Sequence, residues 1–218
     1  MRLGKGFVAL VAVMTGFVIG PGPATAGELH SDSTTLNTFL TGTQTGNHLL
    51  HLAGGTLKCN KVTVAGTIAA TTVTAFRLQA GYSECTFFGV AVTVSMGQCQ
   101  FEVTADGGFA IIDKEEADCG KNPVTFRATV LGTFSCHIEI VKQVGLSGLT
   151  YGGASKTEAE GAVTTSPNVS EITYRAQGEL CGETGTLTNG TYPAGPISLK
   201  GYVDQFGLEG PQTPIWIA

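Results

Sequence analysis

The side chains that could do chemistry are few, and most stand apart from one another. His48 and His51 lie three positions apart in Asn47-His48-Leu49-Leu50-His51. On a helix they would share a face and could bind a metal. A zinc site needs three or four ligands, and no third stands nearby in sequence, so ordinary histidines are the expectation. His137 and Glu139 are two apart, which on a strand puts them on one face as a potential acid/base pair. Such a pair acts only where a cleft tunes its pKa values, and a solvated sheet surface is the simpler reading. Asp113, Glu115, Glu116 and Asp118 form an acidic run before Cys119. Oxygen-rich loops hold calcium outside cells, but the ordered aspartates of a loop-type site are missing here. A charge run facing water is expected instead.

Nucleophile motifs fall short. Gly145-Leu146-Ser147-Gly148 and Gly81-Tyr82-Ser83-Glu84-Cys85 both lack the full Gly-x-Ser-x-Gly pattern that sets a serine on a strand-to-helix turn. The 17 acidic residues offer many carboxylate pairs for glycoside cleavage, and nothing singles one out. Asn168-Val169-Ser170 and Asn189-Gly190-Thr191 match the glycan-acceptor pattern, which matters only on a eukaryotic secretory route. Aromatic residues gather in two places: Tyr82, Phe87 and Phe88 around Cys85, and Tyr202, Phe206 and Trp216 near the end. Exposed aromatics bind sugars or partner proteins, so Tyr82, Phe88 and Trp216 are candidate ligand-surface residues. Core and loop packing is the competing role. No residue is assigned to catalysis, to a cofactor or to a metal, and no cofactor is expected.

The N-terminus is easier to read. Arg2 and Lys5 precede Phe7 to Ile19, a run of 13 residues without charge. Gly20-Pro21-Gly22-Pro23 then breaks any helix, and Ala24-Thr25-Ala26 offers a small-x-small cleavage site. These are the three parts of a secretory signal peptide, with cleavage expected after Ala26. A membrane anchor would need about 20 apolar residues. No later stretch is long and apolar enough to span. Without Arg2 and Lys5, ten basic residues face 17 acidic ones, a net charge of −7. That balance disfavours nucleic acid and anionic lipid as partners.

All six cysteines (Cys59, Cys85, Cys99, Cys119, Cys136 and Cys181) fall after the leader, and no two are closer than 14 positions. Zinc sites use close pairs such as Cys-x-x-Cys. An even number of well-spaced cysteines in an exported chain reads as disulfides.

The elements that must position these residues are strands. Charged residues make up 13% of the chain against about 25% in typical proteins. With 31 glycines, this suits strands joined by tight turns. Apolar residues recur at every second position in at least six segments. Val90, Val92, Val94 and Met96 share a face, as do Cys99, Phe101 and Val103. Phe126, Ala128 and Val130 form a third set, and Cys136, Ile138 and Ile140 a fourth. Ile172, Tyr174 and Ala176, then Ile197, Leu199, Gly201 and Val203, complete the series. One apolar and one wet face per strand implies packed antiparallel sheets, with Cys99, Ile138, Val92 and Leu199 inside. Asp106-Gly107, Leu131-Gly132-Thr133 and Thr188-Asn189-Gly190-Thr191 are expected hairpin turns. Gly152 to Gly161 is the best linker or long-loop candidate.

Strand direction then orders the cysteines. A hairpin at Asp106-Gly107 carries the chain away from Cys99 and back, which brings Cys119 to the same end. A turn at Gly132 leaves Cys136 at the opposite end. Cys99–Cys119 is therefore expected, with Cys59–Cys85 the next local pair and Cys136–Cys181 the remainder.

The strings Gly55-Thr56-Leu57-Lys58-Cys59, Tyr82-Ser83-x-Cys85-Thr86-x-Phe88-Gly89, Val92-Thr93-Val94-x-Met96, Gly190-Thr191-Tyr192 and Lys200-Gly201-Tyr202-x-Asp204 resemble a group of uncharacterised secreted proteins common in high-GC soil actinobacteria. The likeness spans roughly Gly55 to Ala218. Gln98 departs from the pattern, which has Gly ahead of the cysteine. The resemblance implies export and a cysteine-bridged β-fold, and it carries no activity.

The expectation is thus an all-β chain: a signal peptide over 1–26, then one antiparallel β-sandwich of Ig-like or jelly-roll-like type over 27–218, with disulfides and a possible sub-boundary near 152–161. The leading functional expectation is a secreted, non-catalytic structural or interaction protein whose partner is a cell-surface glycan or protein. A carbohydrate-binding module is the first alternative, and a secreted hydrolase with an unrecognised site the second.

Overall fold

The computed structural model describes residues 27–33, 37–44, 46–130, 134–153, 162–182, 188–205 and 208–218. The expected leader, the Gly132 turn, Phe206 and residues 154–161 lie outside these. Among the described residues every regular element is a strand, and no helix is long and apolar enough to cross a membrane.

The first half holds β1 (Leu29–Ser31), β2 (Thr38–Gln44), β3 (His48–Leu52), β4 (Gly55–Ile68), β5 (Thr72–Val73), β6 (Ala75–Phe87), β7 (Val90–Ser95), β8 (Cys99–Thr104) and β9 (Gly108–Asp113). The second holds β10 (Val124–Val130), β11 (Phe134–Ile140), β12 (Gln143–Ser147), β13 (Leu149–Gly153), β14 (Ala162–Gln177), β15 (Thr188–Pro193), β16 (Ile197–Gln205), β17 (Leu208–Thr213) and β18 (Ile215–Ile217). All pairings are antiparallel. The expected all-β, antiparallel, disulfide-bearing class is therefore what the chain adopts.

Among the described residues fifteen strands join into one sheet that folds back on itself, so its walls pack across a shared core. One circuit runs β3, β4, β6, β7, β10, β11, β14 and β15, and returns to β3. The closing seam sets Thr191 opposite His51 and Ala194 opposite His48. A second circuit uses other parts of β4, β6 and β14, with β2, β16, β8, β9 and β12 between them. Here β13, paired with the earlier half of β14, meets the β8–β9 turn through the Leu149 N–H on the Gly107 carbonyl at 3.2 Å, and the Gln143 side-chain amide joins β12 to the later half of β14. That amide accepts the Thr173 N–H at 2.8 Å and donates to the Thr173 carbonyl at 3.2 Å. A smaller sheet, β18–β1–β5, ties the C-terminal strand to the first one.

Three long strands serve both circuits by reversing phase midway. In β4, Leu57 and Cys59 are buried, Asn60 and Lys61 are both exposed, and Val62 and Val64 are buried again. In β6 the break falls at Ser83–Glu84, and in β14 at Ser170–Glu171. Glu84 and Glu171 take positive φ angles of 54° and 62°, the left-handed backbone that makes room for an extra residue. In β14 the partner register shifts across this point, as in a β-bulge that bends a strand. Without these reversals, one half of each strand would turn its apolar side to water.

Ile138 and Leu199 are buried as expected, Cys99 joins them, and Val92 packs against the core from its edge. The Asp106-Gly107 hairpin forms between β8 and β9, with Gly107 at φ 98°. The expected turn at Thr188–Thr191 is instead part of β15, paired with β14 and β3. Gly190 serves closeness rather than turning: a Cβ there would lie 2.8 Å from the His51 carbonyl oxygen. On either side of 154–161, β13 and β14 pair as far as Gly153 opposite Val163.

Candidate functional site

The three disulfides are Cys59–Cys85, Cys99–Cys119 and Cys136–Cys181, the set expected from strand direction for Cys99–Cys119, from nearness in sequence for Cys59–Cys85 and by remainder for Cys136–Cys181. All six cysteines are buried. Cys59 and Cys85 are direct partners across β4 and β6. Cys136–Cys181 ties β11 to the chain beyond β14. Cys99–Cys119 pins the segment after β9 against β8.

That segment carries the acidic run, and the structure gives its members local work. Asp113 accepts from the Cys119 N–H at 3.0 Å and from Lys142. The Lys142 hydrogen bond, first, and the Cys119 amide hold its carboxyl below the usual range. Asp118 accepts from the Gly120 N–H at 3.0 Å and pairs with Lys121 at 3.2 Å. Among the described residues no group of three or more His, Cys, Asp or Glu side chains is placed to hold a metal ion. His48 and His51 sit on β3, where a spacing of three puts them on opposite faces: His48 is buried and His51 exposed.

His48 instead meets two tyrosines inside the fold. Its Nδ1 shares a hydrogen bond with the Tyr192 hydroxyl, which is 3.1 Å from the Tyr82 hydroxyl. Both tyrosines are half-buried as residues, while their hydroxyls are shut away from solvent. Burial lowers the His48 pKa to about 4, against an opposing influence from the Gly195 backbone. Burial raises Tyr82 to about 12, and Tyr192 well above its ordinary value. All three are therefore neutral at ordinary pH. His48 Nε2 has no hydrogen-bond partner among the described residues. Beside the cluster lies a cavity of about 30 Å³, room for a water molecule, otherwise lined by residues such as Leu50, Leu57 and Phe126. This enclosed polar cluster was not legible as a unit: its members come from three distant strands.

Tyr82, a surface candidate by sequence, is thus turned inwards. Phe88 does lie at the surface, in the β6–β7 turn, 65% exposed and edge-on to Phe87. Trp216 lies in the small sheet, half-buried and stacked on His30 with ring centroids 5.2 Å apart. The three aromatics form no common surface. His137 and Glu139 do meet, Nε2 to Oε1 at 2.9 Å, on the outer face of β11. Arg127 on β10 stands opposite His137, and Arg175 on β14 opposite Glu139, so the pair belongs to a charged sheet surface.

A different outer face carries the larger depression. Register aligns Tyr202, Phe39, Thr67, Arg77 and Glu102 in one row across β16, β2, β4, β6 and β8. Ala65 and Gln79 are partners in the next row but one step along. Two adjoining hollows of about 370 and 310 Å³ share Thr67 and Arg77. The first is lined also by Phe39, Ala65, Gln79, Gln100 and Glu115. Arg77 Nε donates to Glu102 at 3.3 Å. Gln100 is 6% exposed, with its Nε2 donating to the Asp113 carbonyl at 2.8 Å, so its amide is fixed in place. Glu115 belongs to the segment pinned by Cys99–Cys119. Alternation predicts that Arg77 and Gln79 face outwards, but every strand has such residues, and only register shows which ones become neighbours.

Fold and site together define a disulfide-tied, antiparallel all-β protein with a polar groove on one outer face. No protein-family model, curated protein or solved structure matches the chain.

Proposed function

We propose that this chain is exported and acts outside the cytoplasm as a non-catalytic binding protein. The observation that carries the reading is the set of three buried disulfides within the closed sheet. Such bonds form and persist in oxidising compartments. The three-part N-terminal pattern and the resemblance to secreted actinobacterial proteins support the same route. The groove favours binding over a purely structural role, because its polar side chains are held on rigid strands. The non-catalytic part rests on where the titratable groups lie. His48 is neutral and enclosed, and the His137–Glu139 pair faces solvent on a charged sheet surface.

N-terminal sequencing of material recovered from the culture medium tests export. A start at Gly27 and an absence of free thiols are expected. Protein retained in the membrane with Met1 at its start would sink the reading.

A further inference from the structure

We infer that the outer-face row Tyr202–Phe39–Thr67–Arg77–Glu102, with Gln79, Gln100 and Glu115 beside it, binds a neutral oligosaccharide. The inference rests on the binding role proposed above and assigns its ligand class.

Size is the first argument. Five strands at about 4.8 Å spacing make a row roughly 19 Å long, which suits an oligomer better than a single small molecule. Each hollow is of a volume usual for ligand sites, and they adjoin at Arg77.

Chemistry is the second. Two amides, a guanidinium, a hydroxyl and two carboxylates offer both donors and acceptors, as ring hydroxyls require. Arg77 is engaged at Nε by Glu102 while its side chain stays 56% exposed, which leaves the guanidinium open to a ligand. Tyr202 and Phe39, register partners at one end, are half-buried aromatics able to lie against the apolar face of a sugar ring. Ala65, Gly66 and Thr67 keep the floor low.

Charge and backbone exclude the rivals. One positive and two negative side chains give no attraction for an anionic polymer, and the mature chain is acidic as well. Extended peptides commonly dock by adding a strand to a sheet edge. Here the site lies on a face, where neighbouring strands already use the backbone groups, so recognition must come from side chains. Gln100 and Glu115 are held by the Asp113 carbonyl and by the Cys99–Cys119 bridge, so little ordering is left to the moment of binding.

Titration calorimetry on the exported protein tests this with cellohexaose, xylohexaose, mannohexaose, maltohexaose and chitohexaose, and with hexagalacturonate as the charged comparison. Saturable binding of at least one neutral hexaose is expected, weaker by about tenfold for the matching disaccharide. Arg77→Ala and Gln79→Ala should each weaken it about tenfold, with thermal midpoint and circular dichroism retained because both side chains are exposed. His137→Ala should bind as the parent does. No binding of any neutral hexaose, a preference for hexagalacturonate, or full binding by the Arg77→Ala/Gln79→Ala double variant would overturn the site. Each of those outcomes leaves export and the non-catalytic reading standing. Shortened products in the same mixtures would overturn the non-catalytic reading and leave the site.

Discussion

His48 and Tyr192, 144 positions apart, meet through Nδ1 and the phenolic hydroxyl at the seam where β3 pairs with β15. Tyr82 extends the link to β6 on another wall. A neutral polar chain thus borders a part of the interior otherwise lined by apolar side chains such as Leu50, Leu57 and Phe126. Such a network is stable only while its members stay uncharged, because a charge there is poorly solvated.

This makes stability depend on pH. His48 binds a proton near pH 4 when folded and near pH 6.5 when unfolded. Between those values the unfolded chain takes up more protons, so stability falls as pH drops from about 6.5 towards 4. The full loss is roughly 3 kcal/mol, since His48 is almost wholly buried. Above pH 6.5 this contribution is constant. Asp106, held low first by the Thr104 hydroxyl, and Asp113, held low first by Lys142, titrate below the ordinary carboxylate value and lose their contributions only in stronger acid. Urea unfolding at pH 7, 5.5 and 4 should show the slope. His48→Leu should flatten it, and an unchanged slope in that variant would assign the effect elsewhere.

The disulfides close chain segments of 26, 20 and 45 residues. Non-reducing peptide mapping should return Cys59–Cys85, Cys99–Cys119 and Cys136–Cys181. Replacing both cysteines of a pair by serine should cost about 3–4 kcal/mol, most for the longest segment. The Cys99→Ser/Cys119→Ser variant should also weaken hexaose binding, because it frees the segment that carries Glu115. The other two pairs should lower stability without that effect at temperatures where the variants stay folded.

Gly190 tests the seam. A methyl group there presses on the His51 carbonyl oxygen at 2.8 Å and on the Leu52 and Tyr174 side chains at 3.3 Å. Overpacking of this kind costs about 1–3 kcal/mol. Gly190→Ala should therefore lower the unfolding midpoint and speed hydrogen exchange at β3 and β15 ahead of β10 and β11. Gly152→Ala, where a Cβ meets nothing within 4 Å, is the neutral comparison.

The sequence by itself determined the strand class, the inward sets and the route to the disulfides. Period-two alternation is a local property, and burying one face of each strand follows from it whatever the neighbours are. The same holds for Asp106-Gly107, whose turn depends on the backbone freedom of two adjacent residues. The pairing Cys99–Cys119 followed from strand direction alone. Asn189-Gly190 carries an equally strong turn signal, yet it lies within β15, because Gly190 is needed where His51 approaches it. Register decided what local pattern could not. Arg77 and Gln79 look in sequence like any outward pair, and they line a groove only because Thr67, Glu102 and Ala65 are set opposite them. The phase reversals at Asn60–Lys61, Ser83–Glu84 and Ser170–Glu171 read locally as lapses in alternation. Each is a bend whose meaning depends on the strands to either side. His48, Tyr82 and Tyr192 are one cluster for the same reason: closure of the sheet brings together residues that no spacing along the chain connects.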